Sequence, residues 1–314
     1  MARIGKLVVV GVGLIGGSFA LALKEAGAVG RVVGVGRGGR NIRRALDLKI
    51  IDAAGAFDRA TFADADLALL AVPVGQMRPV MRAIAPLLAG KTVVTDAGST
   101  KEDVVALARR ELKGALSRFV PGHPIAGTEK SGADAAFAGL YRGRRVVLTP
   151  LAGTEPGAIA LVRSAWERCG AGVSELQPKE HDAVLAAVSH LPHVLAYALV
   201  DQVARAKNAK QLFSFAAGGF RDFTRIAEGG RVERARGVDD LQIERAADVA
   251  LAAADAHDAP DRARLFQRER ERPADQADAD DHQLPDARHQ PSSAVLSALR
   301  NFSFSLGVPT VTRK

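Results

Sequence analysis

The sequence predicts an α/β chain in which an N-terminal, doubly wound, mostly parallel sheet is followed by an all-helical C-terminal domain and an irregular, disordered tail. Three observations carry that prediction. Short apolar runs alternate with helix-spaced segments from residue 1 to about 150. A glycine pattern, Gly11-Val12-Gly13-Leu14-Ile15-Gly16, sits between an apolar run and a helical one. Beyond Pro150 the strand pattern gives way to apolar residues at helix spacing, and beyond Glu228 that spacing fades too. The divisions read as 1–165, 166–227 and 228–314.

The elements follow in order. Leu7–Val10 is a short apolar strand, Gly16–Ala26 a helix and Arg31–Val35 a second strand. Arg43–Leu48 is a short helix ahead of Ala65–Val72, a continuous apolar run suited to a strand buried on both faces. Met77–Leu88, Lys91–Thr95, Glu102–Leu112, Arg118–Val120 and Arg145–Thr149 continue the alternation. Such a βαβ rhythm belongs to a parallel sheet covered by helices. Glu155–Cys169 is helical, and so is the stretch from His181 to about Lys207. From Glu228 to about Gln290 charged residues dominate and Phe266 is the only aromatic one. Ile243–Ala254 has the makings of one helix, whereas Arg268–Gln290 has no apolar periodicity and reads as disordered.

Composition excludes several function classes. The net charge of +8 suits an anionic ligand, but no basic run is interleaved with aromatics, which are only 5% of residues, so nucleic acid is not the expected partner. A single cysteine, Cys169, permits no intramolecular disulfide and no cysteine-rich metal site, and fits a reducing compartment. The chain enters its first strand without a signal stretch, and no run reaches the roughly 18 apolar residues that a membrane span needs. The expectation is a soluble cytoplasmic protein that holds no metal and acts on a small molecule.

The glycines have a mechanical reading. Gly11 permits a tight turn, Gly13 lets backbone N–H groups reach a pyrophosphate, and Gly16 allows close helix–sheet packing, with Leu14 and Ile15 between them also expected at the cofactor. The position that selects the dinucleotide lies after the second strand and reads Val35-Gly36-Arg37-Gly38-Gly39-Arg40. A carboxylate there would hold a free ribose 2′-hydroxyl; two arginines beside a glycine suit a 2′-phosphate. Arg37 and Arg40 therefore point to NADP, with NAD as the alternative and solvated loop charges as the plain reading.

Four further segments carry chemistry. Asp96-Ala-Gly-Ser-Thr-Lys101 follows a strand, at the sheet edge where open α/β proteins bind ligands. Ser99 can orient a substrate hydroxyl, or Ser99 or Thr100 can cap the next helix. His123-Pro-Ile-Ala-Gly-Thr-Glu-Lys-Ser-Gly132 reads as a loop at the same edge, and an imidazole there can take a proton from an alcohol as hydride leaves the same carbon. His190 and His193 share a helix face, as pocket-lining donors or neutral core groups. Gly218–Arg225 brings two arginines, of which one can clamp a carboxylate.

Taken together, GVGLIGGS at 11–18, DAGSTK at 96–101, HPIAGTEKSG at 123–132, VSHLPH at 188–193 and GGFRDFTRIA at 218–227 resemble the prephenate/arogenate dehydrogenases. The resemblance covers roughly residues 5–227. It implies a Rossmann domain at 1–165, a helical substrate and dimerisation domain beginning at 166–227, and a homodimer. It also implies oxidative decarboxylation of a cyclohexadienol in tyrosine biosynthesis, with hydride passing to NAD(P). By resemblance His123 is the base, Ser99 orients it, Arg225 binds a substrate carboxylate, and His193, His190 and Glu129 line the pocket. The family's Met-Trp-Arg-Asp segment is missing after Glu228, and the only tryptophan is Trp166, so 228–314 reads as a divergent or frame-shifted tail. Two alternatives remain: another NADP-dependent dehydrogenase of small acids, and an NADP-binding protein whose tail has cost it activity.

Overall fold

In β1 (Ile4–Val10), Leu7 and Val9 face one apolar layer while Val8 and Val10 face another. Successive side chains of a strand point to opposite faces, so a strand apolar throughout must be covered on both sides. The same holds for β4 (Leu67–Leu70), where Leu67 and Leu69 oppose Ala68 and Leu70. The computed structural model describes residues 3–89, 91–128 and 130–228.

Around these strands lie β2 (Val29–Val35), β3 (Ala53–Ala54), β5 (Val93–Asp96) and β6 (Phe119–Val120). They form a six-stranded parallel sheet in the order β3-β2-β1-β4-β5-β6. The strand order reverses between β1 and β4, which opens a crevice at their carboxyl ends. One face is covered by α1 (Leu14–Glu25) and α6 (Pro156–Arg168), which contribute Phe19, Leu23, Val162 and Trp166. The other is covered by α3 (Arg59–Phe62), α4 (Met77–Ile84) and α5 (Glu102–Glu111), through Phe62, Met77, Met81, Val104 and Ala108. A short α2 (Gly39–Asp47) follows β2.

A second, three-stranded sheet was not expected, although Arg145–Thr149 had been read as a strand. Pro121 interrupts the chain after β6, and Gly122–Pro124 (β7) leaves the large sheet to pair antiparallel with β8 (Arg145–Leu148), opposite Val147 at His123. β9 (Gly172–Glu175) adds to β8 in parallel. The segment that begins at His123 therefore starts as a strand and not as a loop. The sheet-bearing part also runs past residue 165. Fully buried Trp166 packs on Phe19 at 4.4 Å and on Tyr141 at 5.1 Å between ring centroids.

The helical part is one unbroken run at first: α7 (Pro178–Leu185), a π-helical turn at Ala186–His190, and α8 (Leu191–Ala204). Pro192 explains the wide turn, because a proline inside a helix lacks an N–H and its ring crowds the carbonyl four residues back. α9 (Ala209–Ser214) and α10 (Gly218–Glu228) follow, and α10 packs on α8. By length and composition alone, Pro178–Ala204 is long and apolar enough to cross a membrane, contrary to the reading that no run is. The helix begins three residues before His181, where the helical stretch was expected to start. The expectations for 229–314 lie outside the described residues.

Candidate active site

The crevice between β1 and β4 has the form of a dinucleotide cradle. Gly11 has φ +97°, and a Cβ there would lie 2.2 Å from the Ala71 carbonyl oxygen. At Gly16 a Cβ would lie 2.3 Å from the Gly11 oxygen, so both positions are held to glycine by packing. Gly13 differs: nothing stands within 4 Å of its missing Cβ. It precedes α1, whose first turn has no side-chain cap and no acidic residue, so backbone N–H groups face open space. That is the fit a pyrophosphate requires. A cavity of about 490 Å³ continues from Gly11, Val12 and Gly13 to Gly36, Arg37 and Asn41.

Supporting bonds hold the cradle. Asn41 donates from Nδ2 to the Val12 oxygen at 2.6 Å and accepts the Ala133 N–H at 2.8 Å. Tyr141 donates to the Ile15 oxygen at 2.6 Å, and Ser18 Oγ accepts the Phe137 N–H at 3.0 Å. The segment after residue 130 thus braces the first turns of α1. Arg37 lines the cavity, whereas Arg40 is exposed in the first turn of α2 and does not line it.

At the end of β5 a fully buried ion pair shapes the next loop. Asp96 Oδ2 accepts Lys101 Nζ at 2.5 Å and the Gly98 N–H at 2.7 Å, while Oδ1 accepts the Gly122 N–H at 3.1 Å. Lys101 Nζ donates also to the Gly122 oxygen at 2.6 Å. Such a pair adds little net stability, but removing one partner costs about 3–5 kcal/mol by stranding the other charge. Here its effect is positional: it ties the Ser99 loop to the residue before His123.

His123 is embedded among titratable groups. Its Nδ1 lies 2.9 Å from His181 Nε2, and His181 Nδ1 lies 2.8 Å from Asp182 Oδ1. Asp182 accepts the N–H groups of Lys101 at 2.7 Å and Glu102 at 2.9 Å, capping α5 from the helical part. The α5 cap therefore comes from across the molecule, where Ser99 or Thr100 had been the local candidates. Burial, and then the charges of Lys101, His181 and His190, hold His123 well below the usual histidine range; Asp182 pulls the other way. Burial likewise lowers the Lys101 pKa, against the pull of Asp96 and Asp182.

The other expected site residues fare differently. Ser99 is half-buried in the β5–α5 loop. His190 is buried in the π-helical turn and near enough to His123 to influence its charge. His193 is half-buried, with Nδ1 donating to the Ser189 carbonyl oxygen at 2.7 Å. Arg225 sits in α10, two turns from the start of that helix. Glu129 lies outside the described residues. Sequence reasoning gave no role to His181, Asp182, Asp96, Lys101 or Asn41. For His181 and Asp182 the available signal was a His-Asp pair at the start of an apolar helix, and for Asp96 and Lys101 it was their place at the two ends of the 96–101 segment. Among the described residues no group of three or more His, Cys, Asp or Glu is arranged to hold a metal ion.

Comparison with known proteins adds a family context. Residues 19–175 match the family model described as prephenate dehydrogenase, nucleotide-binding domain, and residues 177–232 match the one described as prephenate dehydrogenase, dimerization domain. The chain is 42% identical over 166 residues to a cyclohexadienyl dehydrogenase of Zymomonas mobilis, covering 52% of this chain and 56% of that enzyme. It is 36% identical over 223 residues to a prephenate dehydrogenase of Bacillus subtilis, covering 70% of this chain and 60% of that enzyme. The aligned part thus spans less than two thirds of these curated relatives. Among solved structures, prephenate dehydrogenase from A. aeolicus in complex with hydroxyphenyl propionate and NAD+ superposes with a TM-score of 0.73 at 34% identity. That match covers 85% of this chain and 93% of the other.

Proposed function

This chain belongs to the prephenate dehydrogenase family, and from that premise we propose that it oxidatively decarboxylates prephenate, or its amino counterpart arogenate, with His123 as the base. The observation that carries the reading is the half-buried His123, held below the usual histidine range by burial and lying just past the carboxyl end of β6, in a chain whose β1–α1 turn forms a dinucleotide cradle. Gly11, Gly13, Gly16 and the first turn of α1, with Leu14 and Ile15, hold the pyrophosphate. Arg37, which lines the cavity just past β2, supports a preference for NADP over NAD; Arg40, exposed and off the cavity, lends at most long-range charge. The bound nicotinamide supplies the hydride acceptor.

The residues of the chain do the rest. His123 Nε2 takes the proton of the ring hydroxyl while hydride departs from the carbon that bears it. The ring–carboxylate bond then breaks, carbon dioxide leaves, and its electron pair enters the ring, which becomes a phenolate. The proton held on His123 returns to that oxygen. Aromatisation makes the step irreversible. Ser99 orients the hydroxyl, while His193, His190 and Arg225 hold the substrate. A homodimer through the helical part completes the reading: a match to a dimerization domain and apolar side chains left exposed there support it. A buried free thiol, Cys169, agrees with a reducing cytoplasm.

Purified full-length protein is assayed at 340 nm with prephenate or arogenate and either dinucleotide. Turnover is expected with NADP preferred, and His123→Asn should lower kcat by about 10²–10⁴-fold while still binding NADP. No turnover with either substrate, or a His123→Asn variant as active as the wild type, sinks the proposal.

A further inference from the structure

Behind His123 lies a pair of buried side chains, His181 and Asp182, that proton abstraction alone does not require. We infer that His181 and Asp182 are positioning residues that fix which nitrogen of His123 carries the proton. The inference rests on the reading of His123 as the base.

The argument is one of donors and acceptors. Both Asp182 oxygens already accept backbone N–H groups, from Lys101 at 2.7 Å and from Glu102 at 2.9 Å. A carboxylate oxygen 2.8 Å from His181 Nδ1 therefore calls for the His181 proton on Nδ1. With that one ring proton on Nδ1, the His181 lone pair is on Nε2, which lies 2.9 Å from His123 Nδ1. Two lone pairs cannot face each other at that distance, so His123 carries its proton on Nδ1 and leaves Nε2 bare. The opposite tautomer would present an N–H to the substrate hydroxyl and could not act as a base. When His123 takes the proton, its Nδ1–H strengthens its bond to His181, and Asp182 balances the new charge. Among the described residues, the charged groups that act most on His123 are Lys101, His181, His190 and Asp182. Of these only Asp182 favours its protonation. Because Asp182 sits in α7 and is anchored on the N-terminus of α5, the tautomer is set only when the helical part is seated on the sheet-bearing part.

Full-length protein with 15N-labelled histidine and bound NADP allows the tautomer to be read directly by long-range 15N–1H correlation. The chain has 7 histidines, and the His123 signals are those lost in His123→Asn. The expected result is a protonated Nδ1 and a bare Nε2 at His123; an Nε2–H form, or a mixture, overturns the inference. In His181→Phe, which removes the acceptor, the His123 signals should move to a mixture. There kcat should fall by about 10²-fold, with KM for prephenate and Kd for NADP within about threefold. An unchanged tautomer or an unchanged kcat in that variant also overturns the inference. If His181→Phe does not fold, as loss of NADP binding would reveal, the wild-type tautomer decides. A wild type with the expected tautomer but no turnover leaves the relay standing and removes the proposed reaction instead.

Discussion

An imidazole buried beside an ammonium group keeps its lone pair at a pH where a solvated one would be largely protonated. His123 is in that position: burial first, then Lys101, His181 and His190, hold its pKa well below 6.5. The acid limb of the kcat/KM profile, which reports the free enzyme's base, should accordingly fall below pH 6.5. A limb at or above that value contradicts the assignment. The same shift has a consequence for stability. Below about pH 6.5 the unfolded chain binds a proton at His123 that the folded chain refuses, so the contribution of this residue is complete above pH 6.5 and is lost as pH falls towards the folded value. Urea unfolding between pH 7 and pH 5 should show a decline in wild type that is shallower in His123→Asn, by at most about 1.4 kcal/mol per pH unit. Parallel declines in the two proteins would show that His123 is not held neutral by the fold.

On the level of elements, the β1–α1 turn separates structural from functional glycines. Gly11 and Gly16 are fixed by close backbone approach, at 2.2 Å and 2.3 Å to an added Cβ, whereas Gly13 is open. Gly11→Ala should cost about 1–3 kcal/mol for its positive φ, and more from the clash with Ala71. Gly13→Ala should leave the thermal midpoint unchanged and weaken NADP binding about tenfold or more, because its methyl group enters the space the pyrophosphate needs. Calorimetry of both variants checks this; a destabilised Gly13→Ala with normal NADP affinity contradicts it. The β5–α5 element is organised differently. Its loop is held by Lys101 and Asp96 from within, and its helix is capped by Asp182 from outside.

The whole molecule pairs a well-covered sheet with a helical part that leaves large apolar groups exposed, including Val188 at 70% and Phe215 at 80%. Only 24% of the most apolar stretch of Pro178–Ala204 is buried within the chain. Helices with that much uncovered apolar surface need a partner. Sedimentation of the full chain should give a dimer, and Val188→Lys combined with Phe215→Lys should shift it towards monomer. A wild-type monomer at micromolar concentration contradicts the dimer. Long apolar helices that carry His181, Asp182, His190 and His193 along one run would make assembly and catalysis share an element.

What the sequence by itself determined is what neighbours along the chain decide. Alternating apolar runs specify strands covered on both faces, and the glycine spacing specifies the β1–α1 turn. The histidine segment could be placed at the sheet edge, because the strand before it ends there. The position of Arg37 at the cavity could be anticipated for the same reason, as it lies two residues past the end of β2. The tertiary structure decided the rest. β7, β8 and β9 make a second sheet from strands of three or four residues, too short for their periodicity to identify the pairing. His181 meets His123 from 58 residues away, and Asp182 meets Lys101 from 81. A linear pattern records which residues share a face of one element; it does not record which faces of two elements meet. Hydrogen bonds between α5, α7 and β7 exist only once both parts have packed, so the surroundings of His123 are set by the fold and not by any motif.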